Sequence, residues 1–386
     1  IHDLSETPPH RGRISPLDAI VVPASRKAER LRPVGQLAAA ADILLVVLAS
    51  HECRTDEAAA LVAGIPGCRA LIIHIGPNYQ SPLLQFRTSA TVFDHLKAGR
   101  QSNLSLKRNL GLLLARLMSW QKIMFLDDDI SRVTPTQLAK IASQLDSHEM
   151  TGLISQSFPD NSVVCHANRL CGRPQGIFVT GAALGVNCSA EPLDFFPDIY
   201  NEDWFFFATH AEQGRVVSVG TARQQAYKPF ADPNRAATEE FGDLLAEGLY
   251  ALFDDGRSLD SATRSYWEEF IDDRRELIEG LADRLYLIPT HEAAVQAHAS
   301  MQYAAKQLAA ITPDDCVKFV TAWRQDRGAF ARTAKDLPKL GNHAAACDYL
   351  GLSAREAEFG LADWQRSRLT GGPQAQGRKN PSLSPA

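Results

Sequence analysis

Lys122-Ile-Met-Phe-Leu-Asp-Asp-Asp-Ile130 decides how this chain is read. Five mostly apolar, strand-favouring residues run directly into three carboxylates. A continuous apolar run of that length, bounded by polar residues, is the pattern of a strand buried on both faces of a sheet. Asp127, Asp128 and Asp129 then stand where the strand emerges, at the carboxyl edge where open α/β sheets bind ligands. Three adjacent anions repel one another unless positive charge sits among them. Side chains two apart on an extended backbone share a direction, so Asp127 and Asp129 converge while Asp128 points elsewhere. Two hard oxygen donors suit Mg²⁺ or Mn²⁺, whose other positions go to water and phosphate oxygens. A solvated acidic turn, or a set of helix caps, is the plainer reading of the same triplet.

Towards the N-terminus, three further apolar runs read as buried strands: Ala19-Ile-Val-Val-Pro23, Ile43-Leu-Leu-Val-Val-Leu48 and Ala70-Leu-Ile-Ile-His-Ile75. Helical patterns lie between them, around Val34 to Ala41 and Thr55 to Ala63. Alternating strands and helices imply a parallel, doubly wound sheet. No GxGxxG or GxxxxGK[ST] follows any of these strands, which sets aside the dehydrogenase and P-loop readings. The helix ahead of the acidic strand spans Asn103 to Leu117, with Leu106, Leu110, Leu113, Leu114 and Leu117 on one face. Asn103 or Ser105 is its N-cap. Lys107 and Arg108 fall in its first turn, where the macrodipole disfavours cations by ~0.3–1 kcal/mol each. A bound diphosphate reverses that sign; snorkelling surface cations are the alternative.

Downstream, Thr134-Pro135 starts a helix to about Leu145. Gly152 to Gln156 and Gly176 to Thr180 read as strands, the latter ending at Gly181-Ala-Ala-Leu-Gly185, where glycines permit close backbone approach to a ligand or a turn. The second acidic constellation is Asn201-Glu202-Asp203-Trp204-Phe205-Phe206-Phe207. Asn201 can cap a helix whose first turn carries Glu202 and Asp203. Beside so dense an aromatic run, a carboxylate is partly desolvated, its pKa rises, and it can serve as a general base. A capped surface helix accounts for the residues equally well. Beyond Tyr227-Lys-Pro-Phe-Ala-Asp-Pro233 the pattern turns helical: Ala236 to Phe253, Ser261 to Leu285, Thr290 to Ala310, Pro313 to Arg332, and shorter helices at 343–350 and 353–367. Phe241, Leu244, Leu245 and Leu249 mark one apolar face; Trp267, Phe270 and Ile271 mark another. Four regions result: a flexible lead-in at 1–16, an α/β domain at 17–232, a helical domain at 233–369 and a disordered Gly/Pro/Gln/Ser-rich tail at 370–386.

Composition bounds these readings. The chain has 386 residues, 45% hydrophobic and 22% charged, the profile of a globular protein with one large domain and a smaller one. A net charge of -5 argues against a general nucleic-acid partner. Seven cysteines without a CxxC pair read as reduced thiols in a cytoplasmic protein. Cys165, His166 and Cys171 invite a zinc reading, but no second pair completes four ligands. The most hydrophobic stretch, Ala38 to Ala49, is too short to span a membrane.

Taken in order, the motifs resemble the family 2-like nucleotide-sugar glycosyltransferases of GT-A fold. The matching residues are Pro23-Ala24-Ser25 after the first strand, Arg108-Asn109-x-Gly111, Leu126-Asp127-x-Asp129, and Glu202-Asp203 opening the aromatic helix Trp204 begins. The likeness covers roughly residues 18–230. It implies a hexosyltransferase with a Rossmann-like catalytic domain, Mn²⁺ or Mg²⁺, and a UDP- or GDP-sugar donor. Pro23, Ala24, Ser25, Arg26 and Ser50 would line the donor's nucleoside side. Lys107, Arg108, Asn109, Asp127, Asp128 and Lys228 complete the donor set, with Arg235 weighed beside Lys228 for the diphosphate. Asp129, with Asp127, would hold the metal. Asp203, with Glu202, would be the catalytic acidic pair, Asp203 deprotonating an unidentified acceptor hydroxyl if the enzyme inverts. Retaining relatives often carry a late metal-binding His; Gln224-Gln-Ala-Tyr-Lys-Pro229 has none, which favours inversion. A sugar nucleotidyltransferase and a non-catalytic sugar- or nucleotide-binding protein on the same scaffold are the competing readings.

Overall fold

The computed structural model describes residues 2–4, 16–156, 158, 161–176, 179–288 and 292–358. Most of the expected flexible lead-in and all of the expected disordered tail lie outside them, although residues 2 and 3 form a short strand, β1 (His2–Asp3). The chain then alternates through β2 (Ala19–Val22), α1 (Arg32–Ala41), β3 (Leu44–Ala49), α2 (Thr55–Ala63) and β4 (Arg69–His74). Short 3-10 turns lead to α3 (Leu104–Leu117) and the acidic strand β5 (Lys122–Leu126). Next come β6 (Ile130–Ser131), α4 (Pro135–Gln144), β7 (Met150–Gln156), α5 (Val163–Leu170), β8 (Val179–Asn187), α6 (Glu202–Glu212) and β9 (Val217–Gln224). Helices α7 (Asn234–Asp254), α8 (Arg264–Tyr286), α9 (Glu292–Leu308), α10 (Pro313–Asp336) and α11 (His343–Tyr349) precede a last strand, β10 (Ser353–Glu358).

The strands form a single sheet in the order β1-β9-β7-β8-β5-β2-β3-β4-β10, with β6 paired to β9. Its centre is mostly parallel: β5-β2, β2-β3 and β3-β4 all run together, as do β7 and β9. β8 lies antiparallel between β5 and β7, a departure from an all-parallel sheet. From β2 the chain winds outward through β3 and β4, then returns to place β5 on β2's other side. That reversal opens a crevice at the carboxyl ends of β2 and β5, where doubly wound sheets take ligands.

Both faces of the sheet are covered, which is why its strands read as unbroken apolar runs. Ile20, Val22, Met124 and Leu126 face a core shared with α1, α2 and α4. Ala19, Val21, Ile123 and Phe125 face the other, shared with α3 and α6 to α10, where Phe205 sits 5.3 Å from Trp323 and 5.8 Å from Phe319. The helical region packs on the sheet through this core.

Two expectations are corrected. Gly181 to Gly185 is no turn; β8 runs straight through it to Asn187. The glycines make room instead: a Cβ at Gly181 would lie 2.5 Å from Arg108 Nη1, and one at Gly185 2.5 Å from Ile141. Residues 353–358 are a strand antiparallel to β4, where a helix was expected. Ser353-Ala-Arg-Glu-Ala-Glu has helix-forming composition, but the open edge of β4 supplies a ladder of unpaired backbone groups that outweighs so weak a local preference.

Candidate active site

The acidic strand and the aromatic helix meet around one guanidinium. Arg108, 2% exposed, donates through Nη1 to Glu202 Oε1 at 2.6 Å and through Nη2 to both Asp127 oxygens at 3.1 Å. An arginine near the N-terminus of a helix is unfavourable there on dipole grounds; one buried and one half-buried carboxylate supply the compensating charge. Its neighbour Lys107 is fully enclosed and donates to Ala24 O at 2.7 Å and Ser25 Oγ at 2.8 Å. Burial pulls the Lys107 ammonium down to about 8, against the attraction of Asp128. Neither side chain is a snorkelling surface cation.

The three aspartates part company. Asp127 goes to Arg108. Asp128 turns to the loop after β2, accepting from the Ser25 and Arg26 backbone N–H groups at 3.0 and 3.1 Å and from the Arg26 guanidinium. Asp129 accepts from Arg26 Nη2 at 3.1 Å. Burial pushes Asp127 up to about 6, opposed by Arg108 and reinforced by its two neighbours. Asp129 is raised as well, by burial first, with Arg26 pulling the other way. Much of the repulsion in the triplet is therefore met by the protein's own arginines.

A cavity of about 310 Å³ opens beside this group. Asp127, Asp129, Glu202 and Asp203 line it together with Arg26 and Arg108. Asp203 accepts from Gly181 N–H at 2.6 Å and from Trp204 N–H at 2.9 Å, which fixes its carboxylate and leaves lone pairs over. Glu202, 5% exposed, is taken up by Arg108 and lies 3.9 Å from Arg100. Burial raises the Glu202 carboxyl, Arg108 opposing.

Several expected site residues do not line this cavity. Pro23, Ala24 and Ser50 are buried, Lys107 holds the loop after β2, and Ser25 receives it. Asn109 is committed to both backbone groups of Phe196 at 2.8 Å. Asp128 lines a separate cavity of about 590 Å³ on the far side of Asp129. Lys228 is exposed and faces neither space; Arg235 lines the smaller one, anchored on Glu239 at 2.6 Å and 4.3 Å over the Tyr227 ring. Arg100, Thr180 and Tyr200 also line it. Arg100 comes from an aperiodic loop, and Thr180 and Tyr200 stand beside noticed motifs, so nothing local singled them out.

The donor set fits a divalent cation and a polar ligand. Asp127 and Asp129 bring hard oxygens to one space, and burial penalises their charge, which Arg108 and Arg26 offset and a divalent cation would offset further. No third His, Cys, Asp or Glu comes close enough to complete a protein-only cage among the described residues. Nine buried side-chain polar atoms lack a partner there, and three of them, Arg108 Nε, Thr180 Oγ1 and Gln224 Oε1, belong to residues of this cavity. Such an atom costs about 1–3 kcal/mol when nothing pairs with it, and these three are sealed behind the cavity wall rather than exposed to its interior.

No helix among the described residues is long and apolar enough to cross a membrane. Comparison with family models and with curated proteins finds no match. Among solved structures, a mannosyltransferase of Pyrobaculum calidifontis in complex with GDP-Man and Mn2+ is similar at 15% identity, over 83% of this chain and 88% of that one, with a TM-score of 0.40. At that level the likeness assigns neither residues nor activity. What stands is a mixed α/β chain, mostly parallel at its centre, with a charged cavity at the switch point of its sheet.

Proposed function

We propose that this chain is a metal-dependent glycosyltransferase that moves a sugar from a nucleoside-diphosphate sugar to an acceptor hydroxyl, with inversion. The observation that carries this reading is the meeting of two separate acidic motifs, Asp127/Asp129 and Glu202/Asp203, in one cavity that also exposes arginines. Asp129, with Asp127, would hold Mn²⁺ or Mg²⁺, which supplies charge neutralisation to a departing diphosphate. Arg100 and Arg235 bring fixed positive charge to the same space. Asp203, held by two backbone N–H groups, accepts the acceptor's proton as its oxygen attacks the anomeric carbon and the bond to the diphosphate breaks. Glu202 holds Arg108 rather than meeting substrate. No histidine lines the cavity, which supports inversion over the alternative.

One observation favours a second reading, binding without transfer: Arg26 already spans Asp128 and Asp129 where a metal would lie. Measuring nucleotide release from UDP- and GDP-sugars, with and without Mn²⁺, separates the two. Asp203→Asn is expected to keep nucleoside diphosphate affinity and to lower turnover by about 10²–10⁴-fold. Unchanged turnover removes Asp203 from the mechanism. Pyrophosphate as product would select a nucleotidyltransferase, and binding that ignores metal and survives Asp129→Ala would select the second reading.

A further inference from the structure

We infer that Asp243, on α7 and outside the cavity, is a positioning residue for Asp203, acting through the turn Tyr200–Asn201; the catalytic part of this inference rests on the function proposed above. Asn201 occupies the N-cap position of α6 but does not behave as a cap. Its backbone is left-handed, φ 60° and ψ 35°, and its side chain makes no capping bond. An ordinary Asn cap is extended and bonds the first turn, a contact worth about 1 kcal/mol. Here the amide reaches away, and Nδ2 donates to Asp243 Oδ1 at 3.0 Å. Asparagine visits this conformation more readily than most non-glycine residues, so what marks the turn is the partner its amide reaches on α7.

Helix α7 grips the start of α6 at three points. Gly242 lies so close that a Cβ there would sit 2.2 Å from Tyr200 O. Asp243 holds Asn201. Two turns further along α7, Tyr250 Oη donates to Trp204 O at 3.1 Å, with its ring 4.5 Å from the Trp204 ring. Asp203 lies between the second and third of these points. Asp243 is itself fixed, since its other oxygen accepts from Arg274 Nη2 at 2.6 Å. The helical region thus sets the direction in which α6 presents its acidic first turn to the sheet.

The test uses Asn201→Gly, Asp243→Ala and Asp243→Asn in the full chain. Glycine keeps the left-handed turn without strain and deletes only the amide. Asparagine at 243 can still bond Asn201, which turns its own amide round to accept. Asn201→Gly and Asp243→Ala are expected to lower kcat about 100-fold, as for a small misplacement of a reacting group, with the donor KM and the Kd for nucleoside diphosphate unchanged in Asp243→Ala, whose altered residue lies outside the cavity that Asn201 lines. Asp243→Asn recovers most of the loss. Amide hydrogen exchange over residues 200–206 is expected to quicken in the first two variants and not in the third. Wild-type exchange in Asp243→Ala, or kcat and nucleotide affinity falling together, overturns the inference. Absence of turnover in the unaltered protein would defeat the glycosyltransferase reading, and the exchange measurement then decides the link by itself.

Discussion

Two groups of buried carboxylates in this molecule are each organised by one arginine, and they have different fates. At the switch point Arg108 serves Asp127 and Glu202. Between α7 and α8, Arg274, 3% exposed, serves Glu240 at 2.9 and 3.1 Å, Asp243 at 2.6 Å and Glu247. Titration does not tell them apart: burial pushes Glu240 up to about 7 and Asp127 up to about 6. What differs is closure. The three nitrogens of Arg274 all have partners, whereas Arg108 Nε has none and its group faces an open cavity. Cys165, Asp243 and Glu247 even present ligand atoms within 4.8 Å of one another, but Arg274 already occupies two of those carboxylates. Shifted titration marks buried charge in both groups; an open cavity beside one of them makes that one the candidate site.

The largest effect expected from this contrast is on folding. Arg274→Ala leaves Glu240 and Asp243 buried without their counter-charge and should cost about 3–5 kcal/mol in urea unfolding. Arg108→Ala should cost less, because it strands one fully buried carboxylate, Glu202, where Arg274→Ala strands two, and Asp127 is 20% exposed; it should instead weaken nucleoside diphosphate binding. Equal losses of stability would erase the distinction between a sealed group and an open one.

A smaller effect follows from Glu240. Burial raises it from 4.5 to about 7, with Asp243 and Glu247 adding to the rise and Arg274 opposing it. Between those values the folded state keeps a proton that the unfolded chain has released. Its contribution is therefore fully present below the unfolded value and is lost as pH rises through the folded one. Glu240→Gln fixes the neutral form, so the fall in stability between about pH 5 and about pH 8 should be shallower in the variant. An unaltered slope would mean that Arg274 keeps Glu240 ionised throughout.

The sequence made the open group legible and the sealed one invisible, for a physical reason. Asp127 to Asp129 follow an apolar strand, and Glu202 and Asp203 precede an aromatic run, so contrast with neighbours marks both. Glu240, Asp243 and Glu247 sit at ordinary helical spacing among alanines and leucines, where charges read as a solvated face; only the packing of α8 buries them. Strand and helix positions were largely legible for the same reason, since most of the central strands are apolar and the long C-terminal helices carry periodic stripes. β10 was not, because its state is set by pairing with β4, far earlier in the chain, rather than by its own composition. Lys107 and Arg108 were read as cations facing an anion; they hold the β2 loop and the acidic pair, a role visible only once α3 is laid against β2 and β5.

Arg26 gives the finest test of the comparison, because of the two arginines paired with the cavity's aspartates it is the more exposed. Its side chain is half exposed, against 3% for that of Arg108, so water competes for its guanidinium. Asp129, by contrast, is largely buried and raised in pKa, so it gains from any cation that replaces the guanidinium. If Arg26 takes the place beside Asp129 that a metal would fill, Arg26→Ala should bind Mn²⁺ alone several-fold more tightly, as titration calorimetry without nucleotide would record. The same variant should bind nucleoside diphosphate with metal more weakly, since a displaced Arg26 is free to meet a phosphate. Those opposite signs are the signature of a side chain that exchanges one anion for another. Mn²⁺ affinity that is unchanged or weaker would instead make Arg26 a fixed strut like Arg274, and the open group would be closed on that side.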